Sequence, residues 1–110
     1  MVSSVITSRK NPLVKRLRAL SRREGRDVEQ ILLLEGTHLL EEALLTDPPN
    51  LDLVATEIWI DRHPALMSRL PSGTSIQPVS EEVLSAALST VSPDGVASLM
   101  PMSQLPACPS

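Results

Sequence analysis

The sequence predicts an α/β sandwich, a small and mainly parallel sheet covered by helices. Three observations lead there. Helical and extended patterns alternate along the 110 residues, the order from which parallel strands with helical crossovers are built. Ile31 to Leu34 is a continuous apolar run, as expected of a strand covered on both faces. The helical stretches are amphipathic, so each has a stripe to bury against a sheet. A chain of this length makes one small domain that buries roughly 65% of its unfolded surface.

The first helix opens at Asn11-Pro12, an N-cap with proline at the first helical position, and runs to a stop at Gly25. Leu13, Val14, Leu17 and Leu20 share one stripe, while Lys15, Arg16, Arg18, Arg22 and Arg23 lie on the opposite side. After the strand Ile31 to Leu34 comes Glu35-Gly36, then a helix from Thr37 to Leu45 with Leu39, Leu40, Ala43 and Leu44 facing inward. Asp47-Pro48-Pro49-Asn50 ends it. The β-branched run Leu53 to Ile60 predicts a second strand. A short helix follows near Pro64 to Leu70, and then a brief strand over Ser75 to Val79, where Pro78 favours a sheet edge or a strand end. Ser80 caps a helix from Glu81 to about Ser89, and Ser92-Pro93-Asp94-Gly95 turns into a last strand, Val96 to Met100. Residues 101–110, uncharged and with three prolines, read as a linker or tail beyond a domain of residues 1–100.

Charge is distributed unevenly. Eight of the ten basic residues lie between Arg9 and Arg26, and residues 1–27 hold Glu24 and Asp27 as their only acids; the other eleven of the thirteen acids follow. A basic arm on an acidic body suits a polyanion, which the body repels elsewhere. Trp59 is the single aromatic residue, so base stacking on aromatic platforms has almost no material, and contacts with nucleic acid must rest on charge and polar groups. Cys108 has no partner for a disulfide or a cysteine zinc site. No apolar run approaches the ~20 residues of a membrane span, and the first residues lack the apolar stretch of a signal peptide, so a cytoplasmic protein without membrane contact is expected. His38 with Glu41 or Glu42 offers two metal ligands, too few for a zinc site, and no metal is expected.

Three segments in register carry a resemblance to a known family. They are ITSRKNPLVKRLRALSRREGR from Ile6 to Arg26, ILLLEGTHLLEEAL from Ile31, and LSTVSPDGVASL, which keeps Pro93, Gly95 and Val96. Together, over residues 5–100, they resemble the N-terminal substrate-binding domain of the SpoU (TrmH) RNA 2′-O-methyltransferases. The sequence departs from that pattern at Asp94, where the family usually has Gln, an acid that would repel phosphate were that loop to touch RNA. The resemblance implies a three-layer α/β/α fold like that of kink-turn-binding ribosomal proteins. It also implies a role in holding structured rRNA or tRNA, and a following knotted domain that binds S-adenosylmethionine. Nothing in the chain matches the catalytic elements of that domain. No catalytic residue or cofactor site is therefore assigned here, and the chain alone is expected to be inactive in methyl transfer. The isolated domain is expected to be a monomer and the full-length enzyme a homodimer through the missing part.

Two groups are candidates for RNA contact. The arm comprises Arg9, Lys10, Asn11, Lys15, Arg16, Arg18, Arg22, Arg23 and Arg26, whose cations would neutralise phosphates, with the arginines able to fork onto two oxygens. The plainer reading is a solvated helix face. The second group is Glu35, Gly36 and His38 at a strand's C-terminal end, where open α/β sheets bind ligands. Its plainer reading is a tight turn at Gly36 and a surface or capping His38. The functional readings are an RNA-holding module of a larger methyltransferase, a stand-alone RNA-binding protein of the same fold, and a protein-interaction domain that docks its basic helix on an acidic partner.

Overall fold

The computed structural model describes residues 5–20, 22, 30–46, 51–88 and 94–101. Arg23, Arg26, the helix stops at Gly25 and at Pro48-Pro49, Ser92-Pro93 and residues 102–110 lie outside them.

Helix α1, Pro12–Leu20, starts where Asn11 caps it: the Asn11 Oδ1 accepts from the Leu13 amide at 2.9 Å. Strand β1, Ile31–Glu35, leads through Gly36 into α2, Thr37–Leu45. Strand β2 is shorter than the sequence predicts, Asp52–Thr56, because Thr56 turns the chain into a helix, α3, Glu57–Arg62. The Thr56 hydroxyl accepts from the Trp59 amide at 3.1 Å, and Glu57 sits favourably in the first turn, so capping outweighs the strand preference of Ile58, Trp59 and Ile60. Then come α4, Pro64–Ser68, strand β3, Ser75–Val79, and α5, Glu81–Ala87, capped by the Ser80 hydroxyl. Strand β4, Val96–Pro101, reaches the first residue of the stretch read as a tail.

The four strands are ordered β1-β4-β2-β3. Strands β1, β2 and β3 run the same way, but β4 enters between β1 and β2 in the opposite sense, so two of the three pairings are antiparallel. This corrects the expectation of a mainly parallel sheet. Residues 80–95 are long enough either for a parallel crossover or for a return to the end they left, and an apolar run such as Val96 to Met100 carries no direction. Of the two places Pro78 allows, the sheet edge is the one β3 takes, with Ile6 adding an isolated parallel bridge to Val79 beyond it.

Alternating side chains put a core on each face of the sheet. On one side Val14, Leu17 and Leu20 of α1 and Val83, Leu84 and Ala87 of α5 pack with Val54, Ala97 and Leu99. On the other, Leu40 and Ala43 of α2, Trp59 of α3 and Leu66 of α4 pack with Leu53, Ala55, Val96 and Met100. The result is a three-layer α/β/α sandwich. Leu39, expected inward, is 40% exposed on the flank of α2.

Candidate nucleic-acid interface

Helix α1 lies against the sheet and α5 through its apolar stripe, which fixes the direction of its cations. Lys15, Arg18 and Arg22 are exposed, Arg16 is half-buried, and Arg9 and Lys10 are exposed just before the helix. They do not all face solvent alike. Arg9 pairs with Glu82 of α5 at 3.5 Å, an exposed contact worth at most about 1 kcal/mol. Arg18 donates from Nε to the Ala86 carbonyl at 2.7 Å, so it ties α1 to the last turn of α5. Arg16 lines a hollow of about 190 Å³ with Asp52 and Gln77. Asn11 is occupied as the helix cap. Among the described residues, Lys10, Lys15 and Arg22 form no ion pair and leave their charge to solvent.

The strand-end group is built differently. Gly36, at φ 107°, is the N-cap of α2 and has no side chain with which to cap it. Asp94 supplies the missing acceptor from the turn before β4: its Oδ2 accepts from the Thr37 amide at 2.9 Å. The Thr37 hydroxyl and amide hold this carboxyl below the usual carboxylate range, with a smaller contribution from the charge of His63. An acid expected to repel phosphate thus has a structural task. The Thr37 hydroxyl also accepts from the Trp59 indole Nε1 at 2.9 Å. The Trp59 ring stacks on His63, with centroids 4.4 Å apart and 17° between planes, and His63 Nδ1 lies 2.8 Å from the Trp59 carbonyl.

Beside this cluster is a cavity of about 410 Å³, open to solvent, with Trp59, His63, Asp94, Gly95, Arg62 and Glu81 among its walls. It lies where β2 ends and β4 begins. His38 is apart from it, exposed on α2 and 3.1 Å from Glu42. Glu35 and Gly36 end the edge strand β1, whereas Arg9, through Glu82 after β3, stands at the opposite edge of the same sheet end. The structure therefore does not gather the arm and the Glu35-Gly36-His38 group into one pocket. Asp94, Thr37, Trp59, Arg62 and His63 were absent from the sequence-based site. A glycine at the start of α2, which obliges another residue to cap it, was the available signal.

Among the described residues no three His, Cys, Asp or Glu side chains are grouped to hold a metal, and no helix is long and apolar enough to cross a membrane. The described glycines stand singly, at a helix start, a turn and a strand start, and form no glycine-rich loop for S-adenosylmethionine, so no step of methyl transfer is assigned to these residues.

Comparison with known proteins agrees with this architecture. The model of the MRM3-like substrate binding domain matches residues 11–98. A tRNA/rRNA methyltransferase of Synechocystis sp., described as uncharacterized, is 45% identical over 100 residues, which are 90% of this chain and 36% of the relative. The crystal structure of an RNA 2′-O ribose methyltransferase superposes with a TM-score of 0.75 at 28% identity, covering 93% of this chain and 38% of that one. An rRNA methyltransferase from Sinorhizobium meliloti superposes with a TM-score of 0.67 at 28% identity, covering 90% of this chain and 36% of that one. The latter enzyme is also known with AdoMet bound. The chain thus spans little more than a third of the length of these relatives.

Proposed function

The chain belongs to the MRM3-like substrate-binding domains of the tRNA/rRNA methyltransferases, and from that premise we propose that it holds a structured RNA for 2′-O-ribose methylation by an S-adenosylmethionine-dependent catalytic unit. The observation that carries this reading is the cationic face of the first helical segment. Lys10, Lys15 and Arg22 point to solvent without ion pairs among the described residues, while the opposite face of α1 is locked in the core. Lys15 on the exposed side of a helix fixed in the core, with Lys10 and Arg22 just beyond its two ends, neutralises phosphates at little ordering cost and releases their counterions. Such contacts position the RNA and leave sequence unread. Arg9 and Arg18, which touch α5, orient the arm, and Arg16, Arg23 and Arg26 extend the same positive stretch of chain. On this reading the protein works in the cytoplasm, and any dimer of the whole enzyme forms outside this domain.

The test is a titration of folded ribosomal RNA at several salt concentrations with the chain and with the variant Lys15→Ala/Arg22→Ala. The log-log salt slope is expected to fall by about 0.7 to 0.9 for each lost phosphate contact, with the melting temperature unchanged because both side chains are exposed. Equal affinity and equal slope for the two proteins would remove the arm from the interface.

A further inference from the structure

The cavity at the strand ends has a chemistry of its own. Its walls carry the carboxylates of Asp94 and Glu81, which only accept hydrogen bonds, beside the Arg62 guanidinium. A phosphate or carboxylate would meet those acids unfavourably. A suitable occupant must bring N–H donors and leave its own negative charge outside. One wall is the His63 imidazole backed by the Trp59 ring, a flat surface made from the single aromatic residue of the chain. At about 410 Å³ the cavity is within the range of small-ligand sites, about 300–1,000 Å³, and can take one planar base. Glu81 of the first turn of α5 lines it, and the neighbouring Glu82 holds Arg9, so the cavity and the Arg9 end of the arm meet at one helix turn.

Among the bases, guanine fits this edge best. Its N1–H and N2 amino group are two donors side by side, which one carboxylate can accept together, while adenine and cytosine offer a single amino group and uracil a single N–H. Asp94 is anchored for this: its Oδ2 is fixed by the Thr37 amide, and a carboxylate has about four acceptor positions in all, so capacity remains. We infer that the cavity bounded by Asp94, His63 and Arg62 takes an unstacked guanine base of the bound RNA, read by the Asp94 carboxylate through N1–H and the 2-amino group. This rests on the RNA-holding role and deepens it, since the arm supplies affinity and the cavity supplies selection for one base.

Mononucleotides test it without the arm's grip on a long strand. The indole N–H signal of Trp59, the only one in the protein, reports on the cavity in a ¹H–¹⁵N spectrum. GMP, IMP, AMP, CMP, UMP and inorganic phosphate are titrated against the full chain. GMP should bind about tenfold more tightly than IMP, which lacks only the 2-amino group, the discrimination expected of one good bidentate pair. In the variant Asp94→Asn, whose amide oxygen can still accept from the Thr37 amide, the GMP preference should vanish while the chain stays folded by circular dichroism, with a melting temperature no lower than that of Asp94→Ala. Equal responses to GMP and IMP, or a response to phosphate as large as that to GMP, would overturn the assignment. So would a GMP preference that survives in Asp94→Asn. A response to arginine amide with none to GMP would instead give the cavity to a cationic protein side chain and also overturn it. If GMP fails while RNA binding keeps its arm-dependent salt slope, only this inference falls; if the slope test fails while GMP is still selected, the arm leaves the interface and the guanine site stands.

Discussion

Replacing Gly95 by alanine should damage the domain through one contact that can be specified in advance. Gly95 has φ +100°, and a Cβ built there lies 3.0 Å from the Cβ of Trp59 and 3.2 and 3.3 Å from two ring carbons, against about 3.5–4.0 Å for a comfortable carbon contact. The nearest atom is the root of the tryptophan side chain, so no rotamer change relieves it. The root is itself held, because the Trp59 amide donates to Thr56 Oγ1 and the Thr56 amide donates to the Gly95 carbonyl at 2.9 Å. The left-handed backbone alone costs an alanine about 1–2 kcal/mol, and forcing a methyl into a packed site adds about 1–3 kcal/mol. Gly73 supplies the control: its φ is +86°, and an added Cβ meets nothing within 4 Å, so Gly73→Ala should show the backbone cost of about 1–2 kcal/mol alone. At about 4–8 °C per kcal/mol for a domain near this size, thermal unfolding followed by circular dichroism should separate the variants by at least ~4 °C, with Gly95→Ala lower. Equal melting temperatures would show that Gly95 is not required by the approach of Trp59.

Two further outcomes follow from the loop that caps α2 and from the tie between helices. Asp94→Ala should cost about 1 kcal/mol at neutral pH, the usual worth of a helix cap. Because the folded carboxyl lies below its ordinary value of 3.8, this advantage of the parent chain is full above that value and is lost as pH falls through the folded one. Denaturant melts of both proteins should therefore converge in acid, and a gap that persists there would show that the carboxylate charge is not the source. Arg18→Ala should lower stability by about 0.5–1 kcal/mol through loss of the bond to the Ala86 carbonyl, whereas Arg22→Ala should leave stability unchanged. Matched melts of the two variants would dissolve this division between a tying arginine and a free one.

Local chemistry explains what the sequence made legible. Helix α2 over Thr37–Leu45 and strand β3 over Ser75–Val79 fall where turn signals and periodicity place them, and Ser80 caps α5 as predicted. The difference at Leu53 to Ile60 is also local in origin: the strand propensity of the run is overridden by the capping signal of Thr56 followed by Glu57. What could not be read is contact between distant residues. The cap on α2 comes from 57 positions away and the Arg18 acceptor from 68, and neither leaves a periodic trace. The direction of β4 is of the same kind. The arm was legible because charge clustering is a property of composition; which of its cations are occupied depends on α5 lying beside them.

That division bears on how the arm would meet RNA in the proposed role. Glu82 does two things at once: it holds Arg9 at 3.5 Å and, with Glu81, places negative charge between the arm and the cavity. The phosphates of a bound strand are thereby held off the first turn of α5 and kept along α1, so that in the proposed site only an unstacked base reaches past them to the cavity. Glu82→Gln removes one repulsive charge and releases Arg9, so RNA affinity should rise severalfold at low salt, and the salt slope should steepen by about 0.7 to 0.9 if Arg9 gains a phosphate. Stability should hardly change, because both side chains of the pair are about two-thirds exposed, at 65% and 68%, and such pairs contribute at most about 1 kcal/mol. Filter binding at a series of salt concentrations, with a melting curve on the same preparation, separates the effects. If affinity were unaltered while the pair was demonstrably broken, RNA would not be passing the Arg9 end of the arm, and its path would have to be sought nearer Arg22.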